Sequence, residues 1–299
     1  MKPMLSSQFL AWRLGLPLKE LRVIAKEANK HYREISLNDH EKGKVRLLKV
    51  PDEELKKVQR RILRRVLSEA SLPDGLHGGI PGRSPKTNAE RHLGKDLVVN
   101  LDVRNFFPSV SHRQVAEMFR RGFGCGREAR WLLTRLTTID GQLPQGAPTS
   151  TMIANLLLAI PVDVPIERRA DQLRVEYTRF VDDVTFSGES ADKLISETAK
   201  AVSSVGLRTW RKRKLKITPR SRRQEVTGLT VNSSSGPSVS RTKRDKIRAA
   251  IHEIKTTQGE KELEKKTRSV RGRLNHLRQF NPGSARRLQR QLESVLRAR

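Results

Sequence analysis

Acids are scarce in this 299-residue chain, with 32 Asp and Glu against 61 Lys and Arg, so an acid in apolar surroundings needs a reason. Asp102 ends the apolar run Leu97-Val98-Val99-Asn100-Leu101, and Asp182-Asp183 interrupts two apolar stretches, residues 174–181 and 184–188. All three stretches read as strands, and Asp182-Asp183 reads as the central pair of a tight hairpin. Carboxylates gathered at strand ends raise each other's energy unless a cation binds them. Hard divalent ions favour such oxygen ligands. Two Mg2+ ions held ~3.5–4 Å apart suit phosphoryl transfer, one on the attacking and one on the leaving oxygen. Taken without its neighbours, Asp-Asp also makes a good hairpin turn.

The elements that must position these acids follow from periodicity. Residues 1–70 read as helical: Leu18, Leu21, Ile24, Ala25 and Ala28 recur at helical spacing, and Pro51-Asp52-Glu53-Glu54 opens a further helix. Leu55, Val58, Ile62 and Val66 form one side of that helix. Lys56, Lys57, Arg60, Arg61, Arg64 and Arg65 form the rest, as a solvated face or a template-contacting surface. Residues 71–95, rich in Gly, Pro and Ser, read as loop. Helices are expected over 111–121, 127–136, 152–160 and 190–205, and strands over 97–103, 214–218 and 224–231. From Arg241 onward the chain reads as helical and basic, with 18 Lys/Arg against 6 Asp/Glu. This order predicts an α+β core followed by a basic helical subdomain.

The formal net charge of +29 attracts polyanions and makes binding salt-dependent, which points to nucleic acid ahead of an anionic membrane without naming a reaction. Aromatic residues are only 4%, so phosphate contacts should outweigh base stacking. A single cysteine, Cys125, forms no internal disulfide, and no Cys/His cluster offers a zinc site. A reducing cytoplasm fits. The first residues lack the apolar run of a signal peptide, and no 18-residue apolar stretch is evident, so no membrane partner is expected.

Several segments, taken in order, resemble reverse transcriptases. Residues 100–107 (NLDVRNFF) resemble the first catalytic motif of that family's palm. Residues 143–150 (LPQGAPTS) are similar to its LPQG motif, and residues 177–183 (YTRFVDD) to its aromatic-x-Asp-Asp motif. Residues 88–92 (NAERH) resemble the NAxxH motif of bacterial retron reverse transcriptases, and Val226-Thr227-Gly228 their VTG motif. The resemblance covers about residues 15–255.

It implies a right-hand polymerase: N-terminal helices and fingers over 1–95, an antiparallel palm with helices over 96–235, and a helical thumb over 236–299. Asp102, Asp182 and Asp183 match the catalytic, metal-binding aspartates, with the Val103 carbonyl as a further ligand. Phe107 matches the aromatic gate that excludes a 2′-hydroxyl. Gln145 matches a nucleotide and template contact, Gly146 allows close backbone approach, and Lys214 is a triphosphate contact. Asn88, His92, Trp210, Arg211, Val226, Thr227 and Gly228 fall in segments that would meet RNA, with His92 equally suited to holding a loop by hydrogen bonds. Phe180 and Val181 depart from the tyrosine and alanine of many retron enzymes, and 211–215 (RKRKL) keeps only Lys214 of the family's Asn-x-x-Lys-Thr segment.

The implied activity is RNA-directed DNA synthesis. A structured non-coding RNA would serve as template and primer, giving branched RNA-linked single-stranded DNA (msDNA) from dNTPs in an anti-phage system with a separate effector protein. Two alternatives remain. One is a group II intron-like reverse transcriptase, for whose maturase region the chain has little room. The other is a catalytically silent RNA-binding scaffold, which would not need to keep three acids.

Overall fold

The computed structural model describes residues 5–39, 44–208 and 214–298. Helix α1 (Ser7–Leu14) starts at the Ser6 hydroxyl, which accepts the Phe9 N–H, and stops at Gly15, whose φ of 65° suits glycine. Helix α2 (Leu18–Lys26) follows. The chain then forms two antiparallel strands, β1 (Tyr32–Asp39) and β2 (Lys44–Pro51), with Tyr32 opposite Pro51. This hairpin corrects the all-helical expectation for residues 1–70. Ile35 and Leu37, like Val45 and Leu47, recur every second residue, which is strand spacing. Helix α3 (Glu53–Arg65) is capped by Asp52, whose carboxylate accepts the Leu55 N–H at 3.0 Å.

The Gly- and Pro-rich stretch expected as loop contains the short helix α4 (Pro85–Glu90), opened by a reciprocal Ser84–Thr87 cap. Strand β3 (Leu97–Asp102) leads to α5 (Phe106–Ser109), α6 (His112–Phe123) and α7 (Arg127–Thr137). Cys125, between α6 and α7, is buried, and burial pushes its thiol up to about 12.

Helix α8 (Ser150–Leu158) continues through a π-helical turn, Ala159–Asp163, into α9 (Val164–Gln172). Pro161 and Pro165 lack the N–H groups a regular helix would use, which accounts for the widened turn. By length and composition, Ser150–Gln172 could cross a membrane, contrary to the sequence expectation. Instead 56% of its apolar window is buried inside the protein, and it carries the buried Asp163.

Strands β4 (Glu176–Phe180) and β5 (Asp183–Ser187), helix α10 (Leu194–Ser204) and strand β6 (Lys216–Pro219) complete a four-stranded antiparallel sheet of order β4-β5-β3-β6. Residues 224–231, expected as one strand, split into β7 (Glu225–Val226) and β8 (Leu229–Thr230). The turn between them places Thr227 and Gly228 at φ 46° and 78°. Three helices end the chain: α11 (Arg241–Thr256), α12 (Glu260–Arg278) and α13 (Pro282–Arg297).

Alternation along β3 serves two cores. Val99 and Leu101 pack on one side with Val184, Phe186 and the helices of the first two-thirds of the chain. Val98 packs on the other with Ala89, Val226, Leu229, Val231 and the inner faces of α11–α13. The catalytic-looking sheet is thus pinned from both faces.

Candidate active site

The Asp-Asp pair is not the centre of its turn. Phe180 pairs with Asp183, so the two-residue loop is Val181-Asp182 and Asp183 is the first residue of β5. This corrects the expected hairpin by one position. Two-residue hairpins favour φ > 0 at a central position, and Val181 supplies it with φ 61°, an unfavourable conformation for a β-branched side chain. The shift has a chemical consequence. Asp183 stands directly opposite Asp102 on the neighbouring strand β3. Directly opposed residues share a face, with Cβ atoms ~4.5–5.5 Å apart. The Val103 N–H donates to the Asp182 carbonyl at 3.0 Å, tying the turn to the end of β3.

These residues line a cavity of about 650 Å³ together with Phe107, Gln145 and Lys214. Phe106 and Phe107 both line it, but Phe106 is buried and belongs to the core, whereas Phe107 is half-buried. Gly146 does not line the cavity. Its φ is 130°, and a Cβ there would lie 3.2 Å from the Lys49 carbonyl oxygen, so its close approach is to β2. The Lys49 N–H donates to the Gln145 carbonyl at 3.1 Å, and its ammonium pairs with Asp140. This docking brings Leu47 to the cavity, a residue missed in the sequence because β2 was missed. Thr151 and Asn105 also line it; Asn105 adopts φ 47°, which asparagine tolerates better than most residues.

Lys214 forms an ion pair with Asp102. Although Asp183 is exposed at the hairpin, withdrawal of its carboxyl from water and the negative charges of Asp182 and Asp102 push it up to about 6, against the pull of Lys214 and Lys216. That is the electrostatic signature of acids crowded around a place for cations. The donor set fits a hard divalent metal: carboxylate oxygens on two adjacent strands, at the edge of one cavity. Among the described residues, no three acidic, His or Cys side chains converge as a ready-made cage, and Lys214 occupies the Asp102 carboxylate.

Several residues expected to meet RNA do not present their side chains to it. Asn88, His92 and Val226 are all buried. His92 lies against the same sheet face that carries Asp102 and Asp183, its Nδ1 2.6 Å from the Ser187 hydroxyl and its Nε2 2.7 Å from the Thr178 hydroxyl, joining β4 to β5. Burial and the nearby Arg91 lower it to about 3, so it is neutral. Val226 belongs to the second core. Thr227 and Gly228 sit at the surface turn, with the Thr227 hydroxyl donating to the Pro85 carbonyl at 2.9 Å. Trp210 and Arg211 lie outside the described residues. Sequence reasoning also passed over Arg179 and Asp163, which the structure brings together as a buried ion pair.

Residues 28–229 match the family described as reverse transcriptase (RNA-dependent DNA polymerase). The chain is 32% identical to the retron Mx65 reverse transcriptase of Myxococcus xanthus over 83% of its own length and 61% of the relative's. It is 33% identical to the retron Mx162 reverse transcriptase of the same organism, over 84% and 59%. Against the retron Ec86 reverse transcriptase of Escherichia coli it is 32% identical, over 80% and 75%. The chain thus spans about six-tenths of the length of the two Myxococcus proteins.

Proposed function

Since the chain belongs to the retron-type reverse transcriptases, we propose that it is an RNA-directed DNA polymerase with fingers, palm and thumb, copying a structured non-coding RNA into branched RNA-linked single-stranded DNA. The observation that carries this reading is the register that sets Asp183 against Asp102, at a cavity that Phe107, Gln145 and Lys214 also line. Fingers over 1–95, palm over 96–235 and thumb over 236–299 are the divisions we propose.

Asp102, Asp182, Asp183 and the Val103 carbonyl are the groups that would hold two Mg2+ ions, which when bound neutralise triphosphate charge and activate the attacking hydroxyl. Lys214, which pairs with Asp102 in this structure, would meet the triphosphate once released. The Phe107 ring in the cavity wall bars a ribose 2′-hydroxyl and selects dNTPs. Gln145 touches the nucleotide and template. The basic helices α11–α13 grip the A-like duplex through its phosphates, which is recognition of shape. The RNA acts as template and primer, starting from an internal 2′-hydroxyl. The wider setting we propose is cytoplasmic anti-phage defence with a separate effector protein.

Purified protein with its copurifying RNA, dNTPs and Mg2+ should yield DNA covalently attached to RNA. The Asp182→Asn/Asp183→Asn form should yield none. Equal synthesis by that form would remove the site, and absence of synthesis by the unaltered protein on any primed template would favour a binding scaffold.

A further inference from the structure

Directly behind the Val181-Asp182 turn lies an ion pair with no water access. Arg179 and Asp163 have side chains that are 0% exposed, and Arg179 heads the largest fully buried side chains among the described residues. Alternation along β4 sends Arg179 away from the cavity face and into the first core, where the π-helical turn delivers Asp163. The guanidinium meets the carboxylate as a fork: Nε donates to Oδ1 and Nη2 to Oδ2, both at 2.7 Å. Tyr177 donates its hydroxyl to the same carboxylate.

One donor of that fork goes elsewhere. Arg179 Nη1 donates to the Val181 carbonyl oxygen at 2.8 Å and to Asn155 Oδ1 at 3.1 Å. Asn155 Nδ2 in turn donates to the Gly78 carbonyl at 2.8 Å. Gly78 is pressed against the turn: a Cβ there would lie 2.5 Å from both the Val181 nitrogen and its Cγ2. The turn is therefore held at the Val181 carbonyl from behind, at the Asp182 carbonyl by the Val103 N–H, and at its flank by Gly78.

Stability alone does not account for this pair. Buried ion pairs return little net free energy over well-packed apolar residues of similar volume. What the pair does supply is a fixed hydrogen-bond donor for the carbonyl of a residue in strained conformation, with φ 61° on a valine. We propose that Arg179, oriented by Asp163, is a positioning residue that holds the Val181-Asp182 turn in the register that sets Asp183 opposite Asp102, with Asp182 at the same cavity. This rests on the polymerase reading for its consequence on catalysis, but not for its consequence on metal binding.

The test is the volume-conserving double variant Arg179→Met/Asp163→Leu, compared with unaltered protein by urea denaturation, single-nucleotide kinetics and Mn2+ titration followed by electron paramagnetic resonance. The expected result is a folded protein whose kcat falls on the order of 10- to 100-fold, as a misplacement of about 1 Å produces. KM for dNTP should stay within about twofold, because the groups that contact the nucleotide remain. Mn2+ affinity should fall in parallel with kcat. A purely structural pair predicts that activity follows stability, so a folded double variant with unaltered kcat and Mn2+ affinity overturns the proposal. If the double variant does not fold, Arg179→Lys is read in the same way: its ammonium keeps the charge opposite Asp163 but lacks the planar fork. If the unaltered protein makes no DNA, the polymerase reading fails while the Mn2+ comparison still decides the positioning role.

Discussion

His92 shows how a residue in a recognition-like motif can be structural. In its neutral state, one ring nitrogen donates to a hydroxyl and the other accepts from one, so Ser187 and Thr178 satisfy both. Its folded-state value of about 3 lies below the ordinary 6.5, which means the unfolded chain takes up a proton at a pH where the folded chain does not. Its contribution is whole above pH 6.5 and is lost as pH falls toward 3, at about 1.4 kcal/mol per pH unit. Urea denaturation between pH 6.5 and 5 should show stability dropping by about 2 kcal/mol from this group. A His92→Gln variant should show a shallower slope, though not a flat one, because burial also lowers His77, to about 4. An unchanged slope would mean that His92 is protonated within the fold. Phe107 makes a second prediction at this scale. If its ring bars the 2′-hydroxyl, Phe107→Ala should raise ribonucleotide incorporation relative to dNTP by about tenfold or more, measured by competition on one primed template. No change in that ratio would assign Phe107 to packing alone.

Among the elements, the β1–β2 hairpin depends most on its attachments. Two strands alone are marginally stable, and Leu37, Val45 and Leu47 are half-exposed or more. Its hold on the rest runs through Tyr32, which packs on the first core and accepts from Gln59, and, nearer the cavity, through Lys49, Gln145 and Gly146. Gly146→Ala would put a Cβ against the Lys49 carbonyl at a φ that alanine avoids, costing about 1–3 kcal/mol. The expected outcome is a raised KM for dNTP, because Leu47 and Gln145 shift together, with little change in RNA affinity. Equal kinetics would show that the hairpin does not shape the cavity. This element was also the least legible one. Residues 97–103 and the strands around Asp182 were readable because short runs rich in β-branched and aromatic residues, bounded by turn residues, favour strands. Residues 32–51 mix a two-residue apolar alternation with many charges, between two helical segments, and their strand character needs the partner strand to be seen. Helix α4 is six residues long and hides in a Gly- and Pro-rich stretch. The three acids could be named from sequence, but their one-residue register could not, since turn geometry decides whether Asp182 or Asp183 faces Asp102. The pair Arg179–Asp163 needed the π-turn, which no periodicity encodes.

Across the whole molecule, a net charge of +29 accompanies a sheet that carries the acids at one mouth. Binding to RNA should be dominated by counterion release, so the logarithm of affinity should fall linearly with the logarithm of salt concentration. With about six to ten phosphate contacts, the loss between 50 and 200 mM salt would be about 10³- to 10⁵-fold, measurable by fluorescence anisotropy. A weak dependence would point to base-edge recognition instead. The molecule also has a single thiol, and that thiol is sealed between α6 and α7 with its ionisation suppressed. Maleimide dyes attack thiolates, so the native protein should stay dark under labelling conditions. A fluorophore placed through Leu37→Cys on the exposed hairpin would then be the sole reporter, and motion of the β1–β2 hairpin could be watched in real time without first stripping the chain of cysteine.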